Sequence, residues 1–169
     1  LDFAGRLTQT YPKYPAEGWS VTALPDGTIK YASREYYSLY WEGDNDMPFH
    51  LNEGTLVKGS ETVKFLESAL NTLGLTDKEA NEFIIYWLPQ LENNNYNLIH
   101  FSNEEYEEMA KLEITPTPDQ IIRVMMVFQP LESQITIRPQ DLSKLAKKRN
   151  GFTVVEWGGK KVERKKFRV

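Results

Sequence analysis

The chain has no cysteine and only two histidines in 169 residues. Without cysteine there can be no disulfide, thiolate metal site, iron–sulfur cluster or thiol nucleophile. The same absence suits a reducing compartment and, equally, an exported protein that avoids stray thiols. No stretch approaches the roughly 20 consecutive apolar residues of a membrane-spanning helix, and no signal-peptide pattern follows the opening Leu1. Ser20, Ser38 and Ser60 lie in no Gly-x-Ser-x-Gly elbow. Lys58-Gly59-Ser60 lacks the frame of a phosphate-binding loop. These absences remove most nucleophile-based and nucleotide-based chemistry.

Charge is modest and uneven. The formal net charge is −4. Residues 160–169 hold Lys160, Lys161, Arg164, Lys165, Lys166 and Arg168 against Glu163 alone, which is +5, so the rest carries −9. We read residues 1–159 as one domain and 160–169 as a basic tail. The tail reads as a solvated end or a lysine-guarded edge. An acidic body argues against nucleic acid as a partner. About 150 residues can remove roughly 68–70% of their unfolded surface from water, so no covalent or metal staple is needed.

What is present is a strong local pattern. Ile121 to Phe128 is apolar at seven of eight positions and bounded by Pro118 and Pro130; it predicts a central strand covered on both faces. Around Pro25-Asp26-Gly27 the spacing predicts a hairpin, and the first 58 residues or so read as β. Val63, Leu66, Ala69, Leu70 and Leu73 predict a helix capped by Ser60 and closed by Gly74. Thr76-Asp77-Lys78-Glu79 is a capping box opening a second helix, which Pro89 should kink or end. Further on, Tyr96–Phe101 predicts a strand and 102–112 a short helix. We expect a short strand at 135–137, a helix over 139–148, and a last strand from Phe152 to Trp157 closed by Gly158-Gly159. The order predicts an α+β fold: a mixed or mainly antiparallel sheet, its N-terminal part sandwich-like, packed against a helix pair.

Several constellations could carry chemistry. Trp41-Glu42-Gly43 and Glu156-Trp157-Gly158-Gly159 each set a carboxylate beside a tryptophan. Paired carboxylates can hydrolyse glycosidic bonds, and tryptophan faces stack on sugars. Trp41, Glu42, Glu156 and Trp157 are therefore the candidate ligand-binding residues. The structural alternative has the tryptophans packing the core and the glutamates capping backbone donors or pairing with Arg123. His50 and His100 lack metal-ligand spacing and read as exposed or hydrogen-bonded. Asp44-Asn45-Asp46 alternates oxygen donors but lacks the glycine and distal glutamate of an EF-hand. Glu104, Glu105, Glu107 and Glu108 read as a solvated acidic face that could also dock a basic tail. No catalytic residue, metal ligand or cofactor is assigned.

Several blocks carry a resemblance: Gly18-Trp19-Ser20-Val21-Thr22-Ala23, Pro25-Asp26-Gly27, Leu39-Tyr40-Trp41-Glu42-Gly43, Tyr86-Trp87-Leu88-Pro89, Tyr96-Asn97-Leu98-Ile99 and Gly151 to Gly159. In their order the chain resembles an uncharacterised family of bacterial proteins, often exported or envelope-attached. The resemblance implies an extracellular or envelope location, cytoplasmic being the alternative, and no known activity. The family carries a Tyr-Leu-Tyr-Pro strand ahead of the position of Leu1, so an unpaired edge is expected there. The functional expectation is a non-enzymatic, exported or surface-associated module. It would bind a protein partner, or associate with itself, through that N-terminal edge strand. The alternative is a glycan-binding or glycan-hydrolysing protein using Glu42 and Glu156 with Trp41 and Trp157.

Overall fold

A computed structural model of the chain describes residues 1–46 and 48–163. In chain order the strands and helices are β1 (Asp2–Phe3), β2 (Arg6–Tyr11), β3 (Thr22–Ala23), β4 (Ile29–Tyr31), β5 (Arg34–Tyr36), β6 (Tyr40–Asp44), β7 (Thr55–Lys58), α1 (Thr62–Leu73), α2 (Asp77–Leu91), β8 (Tyr96–Phe101), α3 (Asn103–Met109), β9 (Ala110–Lys111), β10 (Gln120–Leu131) and β11 (Thr153–Lys161). The fold is α+β, as expected. Among the described residues no helix is long and apolar enough to cross a membrane. The chain divides into two compact units, one of Leu1–Pro48 with Met109–Glu113, the other running over Phe49–Glu108 and from Ile114 on.

The first unit is built of small sheets. β1 pairs with β9, and β2 pairs with β6 across a register shift between Leu7 and Gln9. β3, β4 and β5 form a three-stranded meander. Its first turn is the one read from Pro25-Asp26-Gly27. Gly27 takes φ 91°, which a Cβ would oppose, and donates to Leu24 O at 2.9 Å. Among the described residues of this unit only Pro12, Met109 and Ala110 are buried.

The second unit is layered. Its sheet has the order β11-β10-β8-β7, with β10 and β11 parallel and the other pairs antiparallel. β10 is central, as the apolar run predicts. Alternation divides its side chains: Ile122, Val124, Met126 and Phe128 join the core with Leu66, Leu70 and Leu73 of α1 and Phe83, Trp87 and Leu91 of α2. Arg123, Met125 and Val127 are also buried, on the opposite face. The helix pair forms as read. Gly74 closes α1 at φ 101°, and Thr76 and Glu79 exchange both capping-box hydrogen bonds.

Five local expectations are corrected. A 3-10 turn, Gly59–Glu61, precedes α1, and no side chain caps that helix, so Ser60 is not its cap. Pro89, expected to kink or end α2, is not among these corrections: it lies inside the helix, which ends two residues on at Leu91, a fully buried residue that holds the last turn on the core. Residues 135–137 form no strand, and 139–148 holds only a 3-10 turn, Leu142–Lys144. That stretch offers only Leu142 and Leu145 to the core, too narrow a stripe to offset the cost of helix nucleation. Gln140 instead bonds both main-chain groups of Phe101, each at 2.9 Å. β11 does not close at Gly158-Gly159 but runs on to Lys161, so Lys160 and Lys161 belong to a strand rather than a tail. A Cβ on Gly159 would stand 2.6 Å from the Trp87 ring and 2.8 Å from Met126 O, so glycine here admits the indole. Lastly, β10 runs through Pro130, which lies beyond the last β11 pairing at Phe128 and so breaks no ladder on that side. Residues 164–169, the remainder of the basic tail, lie outside the described residues.

Candidate functional site

The four residues singled out by sequence fall in different units. Trp41 and Glu42 lie on β6 in the first, Glu156 and Trp157 on β11 in the second. Trp41 packs edge-to-face on Phe3 at 5.1 Å between centroids. Glu42 is half-buried and pairs in register with Gln9. Trp157 packs against Phe83 at 5.3 Å and Tyr86 at 5.9 Å, at the margin of the core.

Glu156 points to the other face of β11 and is fully engaged. Arg123 Nε donates to its Oε2 at 2.5 Å, and the Tyr106 hydroxyl donates to its Oε1 at 3.1 Å. The Arg123 guanidinium lies 4.3 Å from the Tyr106 ring centroid. Register explains the meeting, since Arg123 and Glu156 are direct partners across the parallel ladder. Both side chains are largely dry, 5% and 14% exposed. Burial first, and then the Glu156 charge, pushes the Tyr106 hydroxyl far above the ordinary phenol range, so it stays a donor. Strong desolvation and mutual neutralisation suit a buried structural cluster better than a reactive one.

The first unit places its aromatics outward. Tyr11, Tyr37 and Tyr40 are 57%, 46% and 38% exposed. Tyr11 meets Tyr36 edge-to-face, Tyr36 lies near Tyr31, and Tyr14 packs on Trp19. A surface recess of about 190 Å³ opens along Leu7 to Thr10, with Lys13 and Tyr14. Asp44 pairs with Arg6 at 3.3 Å, and Asn45 approaches the Met109 sulfur. Neither belongs to any group able to hold a metal among the described residues.

A second concavity, of about 360 Å³, lies in the layered unit and is lined by His50, Asn52, Glu53, His100, Glu105 and Arg138. His100 projects from β8 on the sheet face opposite the helix pair, because its neighbours Ile99 and Phe101 take the core side. Glu105 comes from the first turns of α3, His50 and Glu53 from the segment before β7. His50 Nδ1 bonds Glu105 Oε1 at 2.8 Å, which fits the exposed, hydrogen-bonded histidine expected. Arg138 bonds Glu53 Oε2 at 2.8 Å, and the two residues also form a parallel bridge. His100 Nδ1 and Glu105 Oε2 are buried and meet no protein hydrogen-bond partner. Burial lowers the His100 pKa below 6.5, against the raising influence of Glu53 and Glu105, so the ring is neutral. Sequence could not bring these groups together. His50 and His100 are fifty positions apart, and their meeting needs β7 beside β8 with α3 folded back over them. Compared with models of known protein families, with curated proteins and with solved structures, the chain matches none.

Proposed function

We propose that the chain is a non-enzymatic module, exported or surface-associated, that binds a protein partner or further copies of itself, and that its first unit supplies the recognising surface. The observation that carries this reading is the outward placement of Tyr11 and Tyr40 on a two-stranded ribbon and of Tyr37 in the bend after β5, in a unit with almost no buried side chain. Tyrosine gives large, rigid, amphipathic contact area and is enriched at interfaces. Ribbons this narrow also leave strand edges, so β2 and β6 each pair with one strand only among the described residues. An added strand could bond there. β1 pairs with β9 on one side, leaving its other side as the N-terminal edge where strand addition was expected.

The engagement of both Glu156 oxygens supports a non-hydrolytic reading, since a carboxylate held by arginine and tyrosine is not available as acid or nucleophile. Sugar binding without hydrolysis is the second reading, favoured by the half-buried Trp41 ring on β6, from which Glu42, next along the strand, points to the opposite face.

The test combines light scattering with site-specific photocrosslinking at position 37, also exposed in this unit, in the producing cell. We expect a mass above 19.6 kDa at high concentration, or a discrete protein adduct, either one lost in Tyr11→Ser/Tyr40→Ser. A monomer at every concentration with no adduct contradicts the proposal, and a glycan-array signal that depends on Trp41 would favour the second reading.

A further inference from the structure

We infer that Asn150-Gly151 is a site of spontaneous covalent modification, where asparagine converts to aspartate and isoaspartate in the folded protein with water as the only co-reactant. This rests on the layered unit alone and is independent of the partner surface above. Asparagine is among the heat-labile residues, and Asn150 alone among the asparagines of the chain precedes glycine. A glycine has no Cβ to obstruct attack by its own amide nitrogen.

The Gly151 nitrogen gives its proton to solvent base and attacks the Asn150 side-chain carbonyl carbon. The new N–C bond closes a succinimide ring, the bond to the side-chain nitrogen breaks, and ammonia leaves with a proton. Water then opens the ring. Attack at the side-chain carbonyl gives aspartate; attack at the main-chain carbonyl gives isoaspartate, with the backbone routed through Cβ. The sum is an amide plus water to a carboxylate plus ammonium, with no change of oxidation state.

The fold leaves the reacting groups open. Asn150 and Gly151 are both exposed. Among the described residues neither the Asn150 side-chain amide nor the Gly151 N–H makes a hydrogen bond. Asp26-Gly27 is the instructive contrast, since there the Gly27 N–H is tied to Leu24 O at 2.9 Å and Asp26 Oδ1 accepts from Thr28 N at 2.9 Å. Asn97 and Asn103 are buried and hydrogen-bonded. The glycine is also one the fold requires. Gly151 takes φ 52°, and a Cβ there would stand 2.1 Å from Asp119 Oδ2. Lys147, Lys148 and Arg149 precede the pair, and their charge favours the deprotonated amide. Anchors lie on either side: Arg149 pairs with Glu79, and Phe152 N donates to Asp119 Oδ2 at 2.7 Å.

The experiment incubates the whole chain in warm, mildly alkaline buffer, with a synthetic peptide of residues 146–154 as the unfolded reference. Peptide mass spectrometry locates the product, and labelling by an isoaspartyl methyltransferase identifies its linkage. We expect Asn150 to convert before any other asparagine, isoaspartate to form alongside aspartate, and the folded-chain rate to lie within about tenfold of the peptide's. Asn150→Gln removes no hydrogen bond of the side chain and should abolish the label. Intact Asn150 after the peptide has converted overturns the inference, as does a product that is aspartate alone. So does a rate that rises in step with unfolding when Phe83→Ala weakens the core, because the reaction would then belong to the unfolded chain.

Discussion

The two units use the same residue types in opposite ways. In the layered unit Phe83, Trp87 and Phe128 are closed into a core between a helix pair and a four-stranded sheet. In the ribbon unit Tyr11, Tyr37 and Tyr40 stand on or beside sheets too narrow to bury them. Aromatic content alone therefore says little; what decides is whether a second layer exists to cover the ring. Helices α1 and α2 provide that layer in one unit, and among its described residues the ribbon unit contains no helix long enough to provide it. Stability should accordingly reside in the layered unit and recognition in the ribbons.

Substitutions across the two units should separate these roles. The largest effect is expected from Phe83→Ala, fully buried at the centre of the core, at about 3–5 kcal/mol by chemical denaturation. A comparable loss, about 3–5 kcal/mol, is expected from Arg123→Met, which leaves Glu156 desolvated without its cation. The double variant Arg123→Met/Glu156→Leu should recover most of that loss; no recovery would mean the pair contributes through something other than charge. Gly159→Ala should cost about 1–3 kcal/mol, since the added methyl must displace the Trp87 ring or the main chain of β10.

A smaller, pH-dependent effect should come from His100. Its folded-state pKa lies below its unfolded value, so the unfolded chain binds the extra proton first. Stability is then full above about pH 6.5 and falls as pH drops below it, levelling off beneath the folded-state value. Urea midpoints between pH 7.5 and 5 should show this slope, and His100→Asn should reduce it. The smallest effect belongs to the ribbon unit: Tyr11→Ser/Tyr40→Ser should shift the global transition by no more than about 0.5 kcal/mol per site while removing association. A large stability loss from that double variant would break the contrast between the units.

Local signals were legible wherever the chemistry is local. The capping box at Thr76 and Glu79, the left-handed Gly74, the Pro25-Asp26-Gly27 turn and the uninterrupted β10 run could all be read directly, because each is decided within a few residues. The continuation of β11 through Gly158-Gly159 was not, because the reason for glycine is an indole from α2. Nor was the missing helix at 139–148, where Gln140 is drawn to the Phe101 main chain. The candidate residues divide in the same way. A pairing of Glu156 with Arg123 could be anticipated as an alternative to catalysis, whereas the convergence of His50, His100 and Glu105 depends wholly on tertiary placement.

The account turns on the contrast between a stabilising layered unit and a partner-facing ribbon unit, and native-state hydrogen exchange at two protein concentrations addresses it most directly. In dilute solution the amides of β8 and β10 should exchange only through global unfolding, and those of β2 and β6 through openings of far lower free energy. Raising the concentration should increase protection in β2 and β6 alone, provided the partner is a second copy. Equal protection of both units in dilute solution would contradict the account, because it would make the ribbons part of the stable scaffold.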